Sequence, residues 1–239
     1  VIAPVLHRRW SLDDGGSVNV RFTERPDGDL RTTDPAPGLA ARRRAVVDRP
    51  WVWVRQVHGA EVLVVGPDDD PLAVAGRDAD AVVTARRDVA IAVHTADCAP
   101  VALWSPEGVL GVAHAGWRGL ADGVIEATVA AMASLGATSI GGVLGPCIHA
   151  DRYEFGAVEL DVVAERYGPG VRAVTSSGTL ALDVPAAVAV AVERATGSPL
   201  DDVDVCTAAS LERQWSHRAR SDVERQAVVM WRTGPEESP

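Results

Sequence analysis

The sequence predicts a single α/β domain built on mixed sheets. Three observations carry that expectation. Short β-branched and aromatic runs outnumber helical stretches, and they do not alternate with helices as a doubly wound parallel sheet requires. Apolar residues make up 47% of the 239 positions and spread along the whole length, enough for a chain of this size to bury roughly 70 to 75% of its unfolded surface. One domain of roughly 200 to 250 residues is ordinary for this class.

Taken in order, Val1 to about Pro50 is irregular and punctuated by the turns Asp13-Asp14-Gly15-Gly16, Pro26-Asp27-Gly28-Asp29 and Pro35-Ala36-Pro37-Gly38. A few short strands and one Arg-rich helical turn are expected there. Trp51 to Val57 and Glu61 to Val65 read as strands separated by a turn at His58-Gly59. Ala81 to Thr84, Ile91 to Thr95, Pro100 to Trp104 and Val109 to Ala113 continue as strands. Helices are expected over Leu120 to Leu135 and Pro185 to Ala195, the second opening on a proline whose missing N–H costs nothing at that position. Ile140 to Leu144, Val203 to Cys206 and Gln226 to Trp231 complete the strands. The polar tail from Thr233 to Pro239 is expected to fray.

The formal charge is -10 and the pI is near 5.0, which argues against a protein that grips nucleic acid through a basic face and favours small-molecule partners. Arg42, Arg43 and Arg44 read as a solvated helix face. There is no lysine, so all 23 basic residues are arginine. A Schiff-base lysine, a pyridoxal phosphate anchor and a P-loop lysine are therefore excluded. Cys98, Cys147 and Cys206 form an odd, widely spaced set that suits a reducing compartment, and the cytoplasm is expected. Neither a secretory leader nor a run of about 18 uncharged apolar residues is visible, so membrane insertion is not expected. Nothing in the sequence indicates a protein partner.

Three segments place reactive side chains beside residues that permit tight backbone geometry: Arg55-Gln56-Val57-His58-Gly59, His94-Thr95-Ala96-Asp97-Cys98-Ala99-Pro100 and His114-Ala115-Gly116-Trp117-Arg118-Gly119. Each falls at the end of a predicted strand, where a rigid scaffold presents functional groups. The two imidazoles of His58 and His114 and the thiolate of Cys98 make a tripod suited to a borderline-soft ion such as zinc, with the fourth tetrahedral position left for water or substrate. The residues alone leave this open, because no short metal-binding motif links positions so far apart. Cys98 also reads as a small buried hydrophobe, His58 and His114 as turn histidines, Trp117 as packing, and His94 as a structural histidine on an apolar strand.

Gln56 to Gly59, Thr95 to Val101 and His114 to Gly119 together resemble the YfiH family, also called the laccase-domain or polyphenol oxidase family. Further matches are Gly145-Pro146-Cys147-Ile148, Tyr153-Glu154-Phe155-Gly156, Cys206-Thr207, Ser216-His217-Arg218 and Arg225-Gln226, in the family's order from about Trp51 to Trp231. The resemblance implies a mixed-sheet, four-layer α/β/β/α fold. It implies a zinc site on His58, Cys98 and His114. It also implies phosphorolysis of adenosine, inosine, guanosine and methylthioadenosine, with adenosine deamination as a second activity. Two departures stand out. Gly15 to Val20 and Gly28-Asp29 are a shortened echo of the family's amino-terminal motifs, and Glu224 replaces the glycine that commonly precedes the Arg-Gln pair.

Zinc in such a site lowers the pKa of a bound water to roughly 7, which suits attack on the purine carbon carrying an amino group. Phosphorolysis needs in addition an oriented phosphate co-substrate. Arg55, Arg118 and Arg218 are the candidates to bind it, since a guanidinium fork matches two phosphate oxygens at once. Asp97, beside Cys98, is expected either as an acid or base or as a residue that orients a ligand, against the alternative of a self-bonded turn residue. Competing readings are a copper oxidase, since two histidines and a cysteine also describe a blue-copper site, and a metal-free hydrolase with Cys98 as nucleophile and His114 or His58 as base. A multicopper enzyme needs many more imidazoles than the six histidines here, which include no His-x-His pair. A structural zinc staple is the non-enzyme alternative, but three protein ligands leave such a site unclosed.

Overall fold

A computed structural model describes residues 6–33 and 35–235. The amino-terminal stretch holds a hairpin, β1 (His7–Ser11) and β2 (Ser17–Phe22), turned at Gly15 with φ +78°, and the Arg-rich helix α1 (Leu39–Val46). Then come β3 (Trp51–Trp53), β4 (Val62–Val65) and α2 (Pro71–Val74), a single turn capped by the Asp70 carboxylate on the Leu72 N–H. Four buried strands follow: β5 (Ala81–Thr84), β6 (Ala90–Thr95), β7 (Ala99–Trp104) and β8 (Leu110–Ala115). The rest of the chain supplies α3 (Trp117–Asp122), α4 (Val124–Ser134), β9 (Gly141–Leu144), α5 (Ala157–Tyr167), the hairpin of β10 (Arg172–Val174) and β11 (Leu180–Leu182), α6 (Val184–Thr196), β12 (Asp201–Asp202), α7 (His217–Arg220) and β13 (Gln226–Thr233).

Several expected boundaries move, each for a local reason. The helix expected over Leu120 to Leu135 is two helices, because Gly123 takes φ +91° and closes α3 before α4 starts. The strand expected over Trp51 to Val57 ends at Trp53, with only an isolated bridge from Arg55 to Asp78 beyond it, since the chain then turns toward His58. Val203 to Cys206 is no strand. The pairing there is β12 on β9, and Cys206 makes only an isolated bridge to Cys147. The expected frayed tail is corrected at its start, because Thr233 ends β13 and is buried; its last residues, 236–239, lie outside the described residues.

The strands form two mixed sheets. One runs β1-β2-β13-β6-β3, antiparallel except for the parallel β3/β6 pair. The other runs β12-β9-β7-β8-β5-β4, with parallel pairs at both edges. Their period-two alternation sorts the side chains into layers. Val20, Ile91, Val93 and Met230 of the five-stranded sheet meet Val82, Ala102, Val112 and Val143 of the six-stranded sheet in the central core. The far face of the six-stranded sheet carries Val101, Leu103 and Ala113 against Ile125, Met132, Leu160 and Val188 from α4, α5 and α6. The far face of the five-stranded sheet presents Ala90, Ala92, Val229 and Trp231 to Leu39 and Val46 of α1. The result is the four-layer α/β/β/α arrangement. Its consequence for function is the link from β6 to β7, which passes from one sheet to the other through Ala96-Asp97-Cys98 at one end of the sandwich.

Candidate metal centre

That crossing point is where the three candidate ligands meet. One ligand atom from each of His58, Cys98 and His114 lies within 4.8 Å of the others, and the two imidazoles stand nearly perpendicular, with centroids 4.9 Å apart and an interplanar angle of 81°. Ligands bound to one zinc at about 2.0 to 2.3 Å sit roughly 3.3 to 3.8 Å apart, so a small inward movement closes the set. Gly116 confirms that the space between them is kept open. A Cβ there would lie 3.1 Å from His58 Cδ2, 3.4 Å from Cys98 Sγ and 3.7 Å from His114 Cε1. Thiolate and imidazole donors with room between them fit a zinc-type ion. Among the described residues this is the one cluster of three or more such ligands.

Register explains how the ligands converge. His114 pairs opposite Pro100 in the β7/β8 ladder, so Cys98, two residues earlier, is its diagonal neighbour on the same face. His58 comes from the turn after β3, in a left-handed conformation with φ +60° that non-glycine residues adopt only when the surroundings hold them there. The holder is Asp80, which the sequence reading passed over. Its fully buried carboxylate accepts the backbone N–H groups of Val57 at 3.2 Å, His58 at 3.0 Å and Gly59 at 2.7 Å, and it bonds His114 Nδ1 at 2.8 Å. That last bond leaves His114 Nε2 for a metal, the usual carboxylate–histidine–metal order. Burial alone would raise the Asp80 carboxyl, but the bonds from His114, Gly59 and His58 outweigh it and hold Asp80 below its ordinary range. Burial likewise opposes charge on Cys98 and His114. The imidazolium nevertheless lowers the Cys98 thiol, and the thiolate with Asp80 raises His114. A preformed thiolate is what a metal requires.

Asp97 has the other special backbone, with φ +91°. Its Oδ1 accepts the hydroxyls of Thr207 at 2.6 Å and Ser216 at 2.7 Å, and its Oδ2 accepts the Arg218 N–H at 2.6 Å. The carboxylate therefore ties the sheet crossing to the carboxy-terminal segment.

A cleft of about 560 Å³ opens on the three ligands. Arg31, Arg55, Arg225, His94 and His217 line it together with threonines and Gln56, and among the described residues no aspartate or glutamate does. In a chain of net charge -10, the cleft thus gathers donor groups, although Asp29 pairs with Arg31 and Asp78 with Arg55. The three arginines singled out from sequence part company here. Arg55 lines the cleft and is paired with Asp78. Neither Arg118 nor Arg218 lines the cleft; each stacks on an aromatic wall of a small crevice lined by Cys98, Trp117 and Tyr153. The Arg118 guanidinium carbon stands 4.5 Å from the Trp117 ring, and that of Arg218 stands 4.8 Å from the Tyr153 ring. Arg31 and Arg225 were missed as cleft residues; the Arg225-Gln226 motif was the available signal, while Arg31 has none.

A sandwich of two mixed sheets with a His-Cys-His cluster that could hold a metal at one end defines the class: an α/β/β/α protein with a candidate three-ligand centre. Residues 29–233 match the family model described as multi-copper polyphenol oxidoreductase laccase, and the chain belongs to this YfiH-type, laccase-domain family. It is 40% identical over 233 residues to a purine nucleoside phosphorylase of Streptomyces coelicolor, covering 93% of this chain and 92% of that one. A purine nucleoside phosphorylase of Mycobacterium tuberculosis is 38% identical over 213 residues, covering 85% and 83%. Among solved structures, YfiH of Bacillus licheniformis superposes with a TM-score of 0.79 at 22% identity, covering 90% of this chain and 92% of that one. A Neisseria meningitidis protein of the same fold gives 0.78 at 26% identity, covering 97% and 100%.

Proposed function

We propose that this protein is a zinc-dependent purine nucleoside phosphorylase acting on adenosine, inosine, guanosine and methylthioadenosine, with adenosine deamination as a second activity. The observation that carries the reading is the carboxylate-free, arginine-lined cleft opening directly on His58, Cys98 and His114, joined to relatives that bear the phosphorylase name at 38 to 40% identity. His58, Cys98 and His114 would hold the zinc, which would supply Lewis acidity and lower the pKa of water to roughly 7.

In phosphorolysis a phosphate oxygen forms a bond to the ribose carbon, the bond from that carbon to the purine nitrogen breaks, and the base leaves with the electron pair and takes a proton. The chain's part is to bring phosphate and nucleoside together in one geometry and to offset the phosphate charge. Arg55 acts within the cleft, while Arg118 and Arg218, stacked on Trp117 and Tyr153 beside the crevice that shares Cys98, act on the nucleoside side of the site. Asp97 acts as a positioning residue, since three donors already engage its carboxylate. The three unpaired cysteines fit a reducing compartment such as the cytoplasm. Multicopper oxidase chemistry requires several metal centres, and the one three-ligand cluster among the described residues fits a single ion. The test is metal content by mass spectrometry, paired with an assay for free base and ammonia from adenosine and inosine. One zinc per chain with base released only when phosphate is present is the expected result. A blue, copper-loaded protein, or base release without phosphate, overturns it.

A further inference from the structure

His94 is 5% exposed and lines the cleft, yet neither of its ring nitrogens has a protein hydrogen-bond partner. Leaving both ends of a buried imidazole unbonded is costly, and the surroundings hold the ring where it is. Its backbone is clamped by the Gln56 amide, which donates to the His94 carbonyl at 2.6 Å and accepts from its N–H at 2.8 Å. Trp53 stands edge-on to the ring at 6.4 Å, and Arg43 lies against Trp51 and Trp53 with its guanidinium carbon 5.4 Å from each ring.

Register brings a second group to the same place. His94 pairs opposite Ala227 in the antiparallel β6/β13 ladder, so Arg225 falls at the diagonal position on the same face, and it too lines the cleft. Its guanidinium differs from those of Arg31 and Arg55. Arg31 lies 3.0 Å from an Asp29 oxygen, and Arg55 is held by Asp78. Arg225 Nη1 donates only to the carbonyls of Asp222 at 3.0 Å and Glu224 at 2.8 Å, and among the described residues no carboxylate neutralises it.

We propose that Arg225 and His94 together form the seat of the phosphate co-substrate, the guanidinium pairing with the anion and the imidazole N–H donating to one of its oxygens. This deepens the phosphorylase reading and rests on it. Burial, with the nearby charges of Arg43 and Arg225, holds His94 far below its usual value, at about 3. The ring is therefore a neutral donor, and a bound anion offsets the charges beside it. Two substrates then meet from opposite sides: phosphate on the five-stranded sheet's edge of the cleft, and the nucleoside against the metal ligands.

The experiment titrates inorganic phosphate into the zinc-loaded protein carrying ¹⁵N-labelled histidine, and compares phosphate affinity, phosphate KM and nucleoside KM in the wild type, His94→Leu, His94→Gln and Arg225→Gln. Leucine fills the same buried volume without donors, so folding is preserved. The expected result is a saturable shift of the His94 ring signals in the wild type. Phosphate affinity is expected to be weaker by about tenfold or more in His94→Leu and Arg225→Gln, partly recovered in His94→Gln, with zinc content and nucleoside KM unchanged. Unaltered phosphate affinity in His94→Leu, or ring signals that stay still while phosphate saturates the protein, overturns the seat. Phosphate binding at these residues with no base release leaves the seat standing and removes the phosphorylase reading. Phosphate-dependent turnover that His94→Leu leaves unchanged does the reverse.

Discussion

Asp80 engages three successive backbone N–H groups and one imidazole with a single buried carboxylate. It therefore sets both the strained turn that presents His58 and the ring orientation of His114. Asp80→Asn keeps the size but turns an amide N–H toward donors that need an acceptor. Zinc affinity should fall by about 10- to 100-fold, the range typical for loss of a carboxylate behind a metal-bound histidine, as measured by competition with a chromophoric chelator. An affinity equal to wild type would mean that the turn holds itself. His94 yields a pH prediction whose sign follows from its lowered pKa. Arg43, Arg225 and His114 are the charged or titratable groups that act on it, and all three oppose its protonation. Between about pH 6.5, where the unfolded histidine titrates, and about pH 3, the unfolded chain binds a proton that the folded one does not, so stability falls as pH falls through that window. Thermal melts at pH 7, 6 and 5 should show a shallower decline for His94→Leu than for wild type; parallel declines would mean that other groups carry the acid sensitivity.

At the scale of elements, Gly116 sits two residues beyond His114, between β8 and α3, where the chain leaves the sheet after Ala115. Its φ of -70° is open to any residue, so the requirement for glycine is spatial. A methyl group would touch all three candidate ligands. Gly116→Ala should therefore leave the far-ultraviolet circular dichroism spectrum unchanged while lowering zinc affinity by at least about tenfold, a loss of roughly 1.4 kcal/mol. A destabilised fold with normal zinc affinity would move the role of Gly116 to packing. The same level shows what the sequence could and could not disclose. Strands β5 to β8 were legible because continuous β-branched runs bounded by turn residues have few other homes. Leu160, Val163, Ala164 and Tyr167 fall at helical spacing and become the buried face of α5, a pattern that the conspicuous Tyr153 to Gly156 motif next to it overshadowed. The break at Gly123 was not legible, since a glycine within a helical pattern is often tolerated. The three candidate ligands stood in the sequence as separate motifs, and only the fold brings them together. Asp80 was not legible at all, because its partners lie more than twenty residues away and meet it only once β4, β5 and β8 pair.

For the molecule as a whole, the three candidate ligands gather where the chain crosses between the sheets. His58 lies on the link from β3 of the five-stranded sheet to β4 of the six-stranded sheet, Cys98 ends the β6–β7 crossing, and His114 stands on β8 of the six-stranded sheet. An ion held by all three would pin the β3–β4 link to the β6–β7 crossing and to the six-stranded sheet. A ligand that binds the folded state and not the unfolded one adds about 4 kcal/mol when present at 1,000 times its dissociation constant. For a chain of 150 to 250 residues each kcal/mol raises Tm by roughly 2 to 4 °C. Zinc-saturated protein should therefore melt roughly 8 to 16 °C above the chelator-treated form. His58→Ala removes the candidate ligand supplied by the β3–β4 link, leaving Cys98 and His114 at one end of the six-stranded sheet. Calorimetry should then show most of the zinc-dependent rise lost, with the chelator-treated variant melting close to chelator-treated wild type. If His58→Ala still gains the full rise on saturation with zinc, the ion stabilises the six-stranded sheet alone, and the coupling between the two sheets rests on their apolar core.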